Sequence, residues 1–354
     1  MEFLTEYGLF LAKVATFVVA GIILVSAVVS AAQKDKGDPE FDGELRIRKL
    51  NDSYRKLKDN IEARLMSDQA RKVYEKARKK ERKAEKKAAK GKSGETGADE
   101  AGRPRVFVLD FDGDIKASDT DQLRRAVSAV LGVAEPGRDE VVVRLESGGG
   151  LVHAYGLAAA QLDRIRNKGV RLTACVDKVA ASGGYMMACV ADRIVASPFA
   201  VVGSIGVVAQ LPNFHRFLKK NDVDFEVLTA GEHKRTLTIF GENTDKGRQK
   251  FLEDLEETHG LFKEYVAERR PQLDIAKVSN GDIWFGKRAL EVQLVDELKT
   301  SDEYLIEASE RADVVSVTFQ RKRTLPEKLG LAVGAALEHT VWRLLSVFRN
   351  QNIQ

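Results

Sequence analysis

The chain has 354 residues, of which 44% are hydrophobic and 31% charged, so it suits a globular protein with one large domain or two ordinary ones rather than a disordered polymer. Its net charge is only +4, yet residues 71–92 carry twelve Lys/Arg against three Glu, a local +9 that leaves the rest at −5. The two cysteines, Cys175 and Cys189, sit in apolar strings without metal or redox spacing and are expected as buried free thiols.

Residues 14–32 form a nineteen-residue run without a charge, long enough to cross about 30 Å of hydrocarbon as a helix. Glu2 and Glu6 precede it where a cleaved signal peptide would be basic, so a retained anchor over residues 1–33 is expected. Lys34, Lys36, Arg46, Arg48 and Lys49 follow the run, and this bias places the bulk of the chain in the cytoplasm. From residue 44 to about 90 the pattern reads as helix. Leu50, Tyr54, Leu57, Ile61 and Leu65 make one apolar stripe, after which lysine, arginine and glutamate surround alanines. Residues 34–90 are therefore expected as a charged helical spacer, with no aromatic interleaving for nucleic acid. Residues 91–104 are Gly-rich and polar and read as a flexible linker.

A globular domain is expected over residues 105–325. Strand-like runs at 106–110, 141–145, 172–176 and 193–196 alternate with helical patterns at 119–131 and 153–167 and a short one at 185–191. Ser118-Asp119-Thr120-Asp121 reads as a cap before the first helix, and Gly169 as the stop of the second. Apolar strands alternating with helices imply an α/β fold with a buried, mostly parallel sheet. Residues 223–228 read as a strand and 245–270 as a long helix ended by Pro271. Shorter helices are expected at 274–278, 289–292 and 302–311, and a last strand at 314–319. Residues 187–209 are apolar, but Asp192, Arg193 and Pro198 interrupt them, so no second membrane span is expected. Residues 326–354 read as a terminal amphipathic helix.

The chemistry concentrates in three places. Ser182 stands where the run 172–176 passes into a short helix, with Gly183 and Gly184 leaving backbone N–H groups open beside it. Ser147-Gly148-Gly149-Gly150 follows another strand, where a parallel sheet exposes its carboxyl ends to ligands. His153 occupies the place of the glycine that a dinucleotide fingerprint would need there. A serine nucleophile needs a base. His153, one turn past the glycine loop, and Lys234, in Gly231-Glu232-His233-Lys234-Arg235, are both open by spacing, and a lysine would have to be desolvated to serve. Asp110, Asp112 and Asp114 imitate a calcium loop, but Ile115 replaces its glycine and Asp121 its glutamate, so no metal or cofactor is expected.

Taken in order, these segments resemble the signal peptide peptidase A family of Ser–Lys serine peptidases, and the whole chain its membrane-anchored SohB-type branch. Arg144-Leu145-Glu146-Ser147-Gly148-Gly149-Gly150, Ala181-Ser182-Gly183-Gly184-Tyr185 and Val202-Gly203-Ser204-Ile205-Gly206-Val207 carry the resemblance. His233-Lys234-Arg235-Thr236-Leu237, Trp284-Phe285-Gly286 and Leu294-Val295-Asp296-Glu297 extend it. The resemblance implies a Clp-protease/crotonase-like β-α superhelix, Ser182 as nucleophile, Lys234 as general base, and an oxyanion hole from Gly183 with Gly149 and Gly150. It implies peptide or membrane-protein substrates such as signal-peptide remnants, a bacterial inner-membrane location, and a homo-oligomeric ring in which the lysine reaches a neighbour's serine. Better-known members act outside the cytoplasm, which conflicts with the charge bias. Two positions depart from the family pattern: Gly148 stands where proline is usual, and Gln293 where glycine is usual. A non-proteolytic acyl-thioester enzyme on the same fold and a membrane scaffold binding acidic partners are the competing expectations.

Overall fold

The computed structural model describes residues 43–91 and 103–321. Two units divide the chain, Leu45–Phe319 and a second of Met1–Glu44 with Gln320–Gln354, and almost every described residue lies in the first. The expected anchor, most of the linker and the terminal amphipathic helix lie outside the described residues. Among the described residues no helix is long and apolar enough to cross a membrane.

The chain runs through β1 (Gly43–Lys49), α1 (Leu50–Leu65), α2 (Asp68–Gly91), β2 (Arg105–Gly113), α3 (Thr120–Leu131), β3 (Glu140–Ser147) and α4 (Val152–Asn167). It continues with β4 (Arg171–Val176), β5 (Val179–Ala181), α5 (Gly183–Ala188), β6 (Arg193–Ala196), β7 (Val201–Gly203) and α6 (His215–Lys220). Last come α7 (Asp245–Arg269), α8 (Ile275–Val278), β8 (Ile283–Phe285), α9 (Gly286–Glu291), β9 (Glu297–Leu298), α10 (Ser301–Arg311) and β10 (Asp313–Arg321).

The fold is mixed α/β around one sheet with the strand order β1-β10-β2-β3-β4-β6-β9. From β10 to β9 every neighbouring pair is parallel. A branch leaves the end of β3, where Ser147 pairs with Ala180, and passes through β5 and β7 to β8, which is antiparallel to β7. Successive residues of a strand point to opposite faces, so Phe107, Leu109 and Phe111 of β2 enter one core and Val106 and Val108 the other. Helices cover both faces, which is why Val141, Val142 and Val143 are all fully buried and the strands read as unbroken apolar runs.

Four expectations are corrected. Residues 43–49 form a strand, because Leu45 and Ile47 alternate with charges at a period of two; the helical stretch then breaks at Met66, whose backbone is extended. Asp119 does not cap α3: its carboxylate accepts from the Asp112 N–H and from Gln122 instead. Residues 223–228 form no strand, since no sheet edge among the described residues meets them and Val223, Phe225 and Leu228 are exposed. The short β5, β7 and β8, which make the branch, were not expected. Gly169 does end α4 from the left-handed region, at φ 78°.

Candidate active site

Ser182 joins β5 to α5 with φ 52° and ψ −119°. A residue with a side chain in this region carries about 1–3 kcal/mol of strain and stays only where its surroundings impose it. Here they do. The Ser182 N–H donates to the Gly203 carbonyl at 2.8 Å, and the Ser182 carbonyl accepts from the Met186 N–H at 2.9 Å. Ala180 and Ala181, just before it, are paired to β7. Ser182 lines a cleft, and its hydroxyl makes no hydrogen bond to another described residue.

The glycine loop after β3 lies directly against this bend. A Cβ on Gly149, whose φ is +88°, would sit 2.6 Å from Gly183 N and 2.7 Å from Ser182 Cβ; one on Gly150 would sit 2.1 Å from Ile115 O. A Cβ on Gly183 would meet the Tyr155 ring at 2.4 Å. Glycines occupy these places because backbone approaches backbone there. Ser147 holds the loop in shape: its Oγ accepts from the Gly149 N–H at 3.0 Å, lies 2.5 Å from the Tyr155 hydroxyl and donates to Gly113 O at 3.1 Å. The Tyr155 hydroxyl also reaches Asp114 O at 2.7 Å, and burial raises its pKa.

This network corrects one expectation, because the Gly149 N–H is engaged inside the loop and is not open to a ligand. Gly149 contributes shape. The N–H groups of Gly150 and Gly183 donate to no described residue, and Gly183 opens α5, where a helix has no internal acceptor for it.

A cleft of about 520 Å³ opens beside Ser182, lined by residues 148–150, Val152, Ser204, residues 206–208, His259, Asn280 and Gly281. Ser204, at φ 51°, is a second residue held in the left-handed region, with its N–H donating to Asp282 O at 2.7 Å. His259 Nε2 lies 2.8 Å from Ser279 O and 3.3 Å from Ile205 O. Both partners are carbonyls, so this nitrogen carries the hydrogen and ties α7 to two walls of the cleft. Sequence reasoning passed over Ser204, His259 and Asn280 as cleft residues. The first lay inside a quoted motif, whereas the other two carry no local signal.

Lys234 is placed elsewhere. It is exposed, on an irregular stretch between α6 and α7, with its N–H donating to Gly231 O at 3.2 Å. It does not line the cleft of its own chain, and neither does the exposed His153. Asp110 pairs with Arg144 at 2.6 Å across β2 and β3, while Asp114 accepts from the N–H groups of Lys116 and Ser118 and so serves the loop around residues 113–118.

The N-terminal family of peptidase family S49 matches residues 2–162, and peptidase family S49 itself matches residues 164–315. "Probable protease SohB" of Haemophilus influenzae is 51% identical over 334 residues, covering 93% of this chain and 92% of its own. A protein of the same description from Buchnera aphidicola of Acyrthosiphon pisum is 47% identical over 352 residues, covering 99% of each. The chain belongs to peptidase family S49. It is a serine peptidase, and the acyl-thioester and scaffold expectations are set aside.

Within the S49 chain the two departures from the family pattern have local explanations. Gln293 adopts φ 63°, the conformation that favours glycine, and its carbonyl accepts from Arg270 Nη2 at 2.8 Å. Arg270 is itself buried and bidentate to Asp296 at 2.8 Å, so the turn is held from outside. Gly148 faces open space, where a Cβ would meet nothing within 4 Å.

Proposed function

We propose that the chain is a membrane-anchored endopeptidase whose Ser–Lys dyad, Ser182 with Lys234, forms between adjacent copies in a ring. One observation carries this reading: the strained serine, its loop and two N–H groups with no acceptor among the described residues are assembled within one chain, while the lysine of the family motif is exposed on a different segment. A lysine amine takes a proton only when uncharged, and removal from water favours that form. Seating residues 231–235 of one copy against the cleft of the next would supply that dry contact.

In this mechanism the Lys234 amine takes the Ser182 Oγ proton as the oxygen attacks a peptide carbonyl. The N–H groups of Gly183 and Gly150 stabilise the oxyanion, an effect worth about 10²–10³ in rate per donor. The C–N bond breaks, the leaving amine receives the proton, and water releases the acyl group from Ser182. Exposed Val152 and Val208 on the cleft walls suit an extended apolar peptide, such as a signal-peptide remnant or a membrane-protein segment. The charge-free run 14–32 supports the anchor, and the parallel sheet with its side branch supports a Clp-protease/crotonase-like arrangement. A reporter fused after Gln354 reads the side of the membrane.

Labelling by a serine-reactive acylating probe tests the dyad. Wild type is expected to label, while Ser182→Ala and Lys234→Ala are not. Equal labelling of all three ends the proposal.

A further inference from the structure

The helices α1 and α2 were expected to be a solvated spacer, but they fold back on each other as an antiparallel hairpin turning at Met66 and Ser67. Arg78 Nη2 donates to Asp59 Oδ1 at 2.8 Å and the Tyr74 hydroxyl donates to Glu62 Oε2 at 2.5 Å, clasping the two helices. The root is fixed on the sheet domain. Leu50 is buried, and the Asn51 side chain bonds Ser309 O, Ala312 O and the Val314 N–H. Beyond the root, Leu57, Ile61 and Leu65 are 61%, 62% and 82% exposed, and Val73 is 71% exposed.

The clasp fixes the rotation of each helix. At about 100° per residue, Tyr74 and Arg78 turned toward α1 leave Lys72, Lys76, Lys79, Lys80 and Lys83 on the far side of α2, within about a third of its circumference. All five are exposed, and none forms an ion pair with another described residue. Val73, Ala77 and Ala84 run beside this row. The same rotation, with Asp59 and Glu62 facing α2, turns Leu57, Ile61 and Leu65 to the side of the hairpin that carries Val73.

An apolar ridge flanked by a lysine row matches one environment, the boundary between acyl chains and phosphate headgroups, where the ridge enters hydrocarbon and the ammonium groups stay with the phosphates. We propose that the α1–α2 hairpin lies on an anionic phospholipid bilayer. The proposal rests on the membrane-anchor reading: residues 33–42 separate the charge-free run from Gly43, and ten residues reach at most about 35 Å. Gly43, at the start of the strand that leads into the hairpin root, is thereby kept within that distance of lipid. A nucleic-acid partner fits less well, because the exposed side of the hairpin offers an aliphatic ridge and no aromatic ring for stacking.

Full-length Ala77→Cys, labelled with an environment-sensitive fluorophore, is reconstituted into phosphatidylcholine vesicles with and without phosphatidylglycerol. Cys175 and Cys189 are buried and leave the introduced thiol to react. Blue-shifted emission, shielded from an aqueous quencher, is expected in the phosphatidylglycerol vesicles alone and should be reversed by about 0.5 M salt. Each lysine contributes roughly fivefold to partition, so replacing all five by Gln should abolish the shift, while Ser182 of that variant still accepts the acylating probe. Identical emission in both lipids, a shift that survives the five substitutions, or a shift produced by RNA without vesicles overturns the proposal. Alkaline extraction of the same chain reads the anchor separately. If the chain is extracted, the anchor reading fails, and phosphatidylglycerol-dependent sedimentation of the extracted chain still decides the hairpin.

Discussion

Around Ser182 almost every contact is internal and buried: the Gly203 carbonyl, the Ser147–Tyr155 hydroxyl pair and the Gly149–Gly183 approach all belong to one sheet and its helices. Residues 206–244 are the opposite. Phe217, Phe225 and Leu228 are 65%, 49% and 90% exposed, Phe214 stacks only on Phe240 of the same segment, and Lys234 stands among them. Both regions carry family motifs, yet one is shaped by the core and the other presents its apolar side chains outward. A motif therefore names a chemical group without saying which chain completes its surroundings.

The comparison can be broken most sharply at the serine. Ser182→Gly removes the nucleophile and relieves the strained φ, so hydrolysis should fall by about 10⁶ while chemical denaturation shows a gain of roughly 1 kcal/mol. A loss of stability would mean that the bend is not strained. Next, Gly150→Ala drives a Cβ toward Ile115 O and should cost about 1–3 kcal/mol or more, whereas Lys234→Ala and Leu228→Ala should stay within about 0.5 kcal/mol in the separated chain. Equal losses on both sides would erase the distinction.

Tyr155→Phe removes the hydroxyl that joins Ser147 Oγ to Asp114 O, both of which keep a second partner, and should cost about 1 kcal/mol. It should also lower kcat, because the loop carrying Gly150 loses its brace. Gln293→Gly suits φ 63° and should add about 1 kcal/mol, read as a higher Tm with unchanged hydrolysis.

The serine and its glycine loop were legible because each is a short run at the end of an apolar strand, where chain order and geometry coincide. The alternating parallel core was legible for the same reason. The engagement of the Gly149 N–H was not, since it depends on Ser147 meeting Tyr155 and on how β2 sits beneath the loop. His259 and Asn280 come from distant elements and reach the cleft only through tertiary packing. Residues 223–228 misled because Val223, Phe225 and Val227 alternate as a strand does, yet no strand edge among the described residues receives them. At β1 the period of two was present, but it is short and runs straight into a longer helical stripe.

The most direct test of a serine held by one copy and a base supplied by the next is complementation. Ser182→Ala and Lys234→Ala chains, each inactive alone, are co-assembled in one membrane and assayed on an extended apolar peptide. Hydrolysis should reappear in the mixture, with acylation confined to the Lys234→Ala copies. Mixed assemblies that form yet stay as inactive as either parent would contradict the shared site.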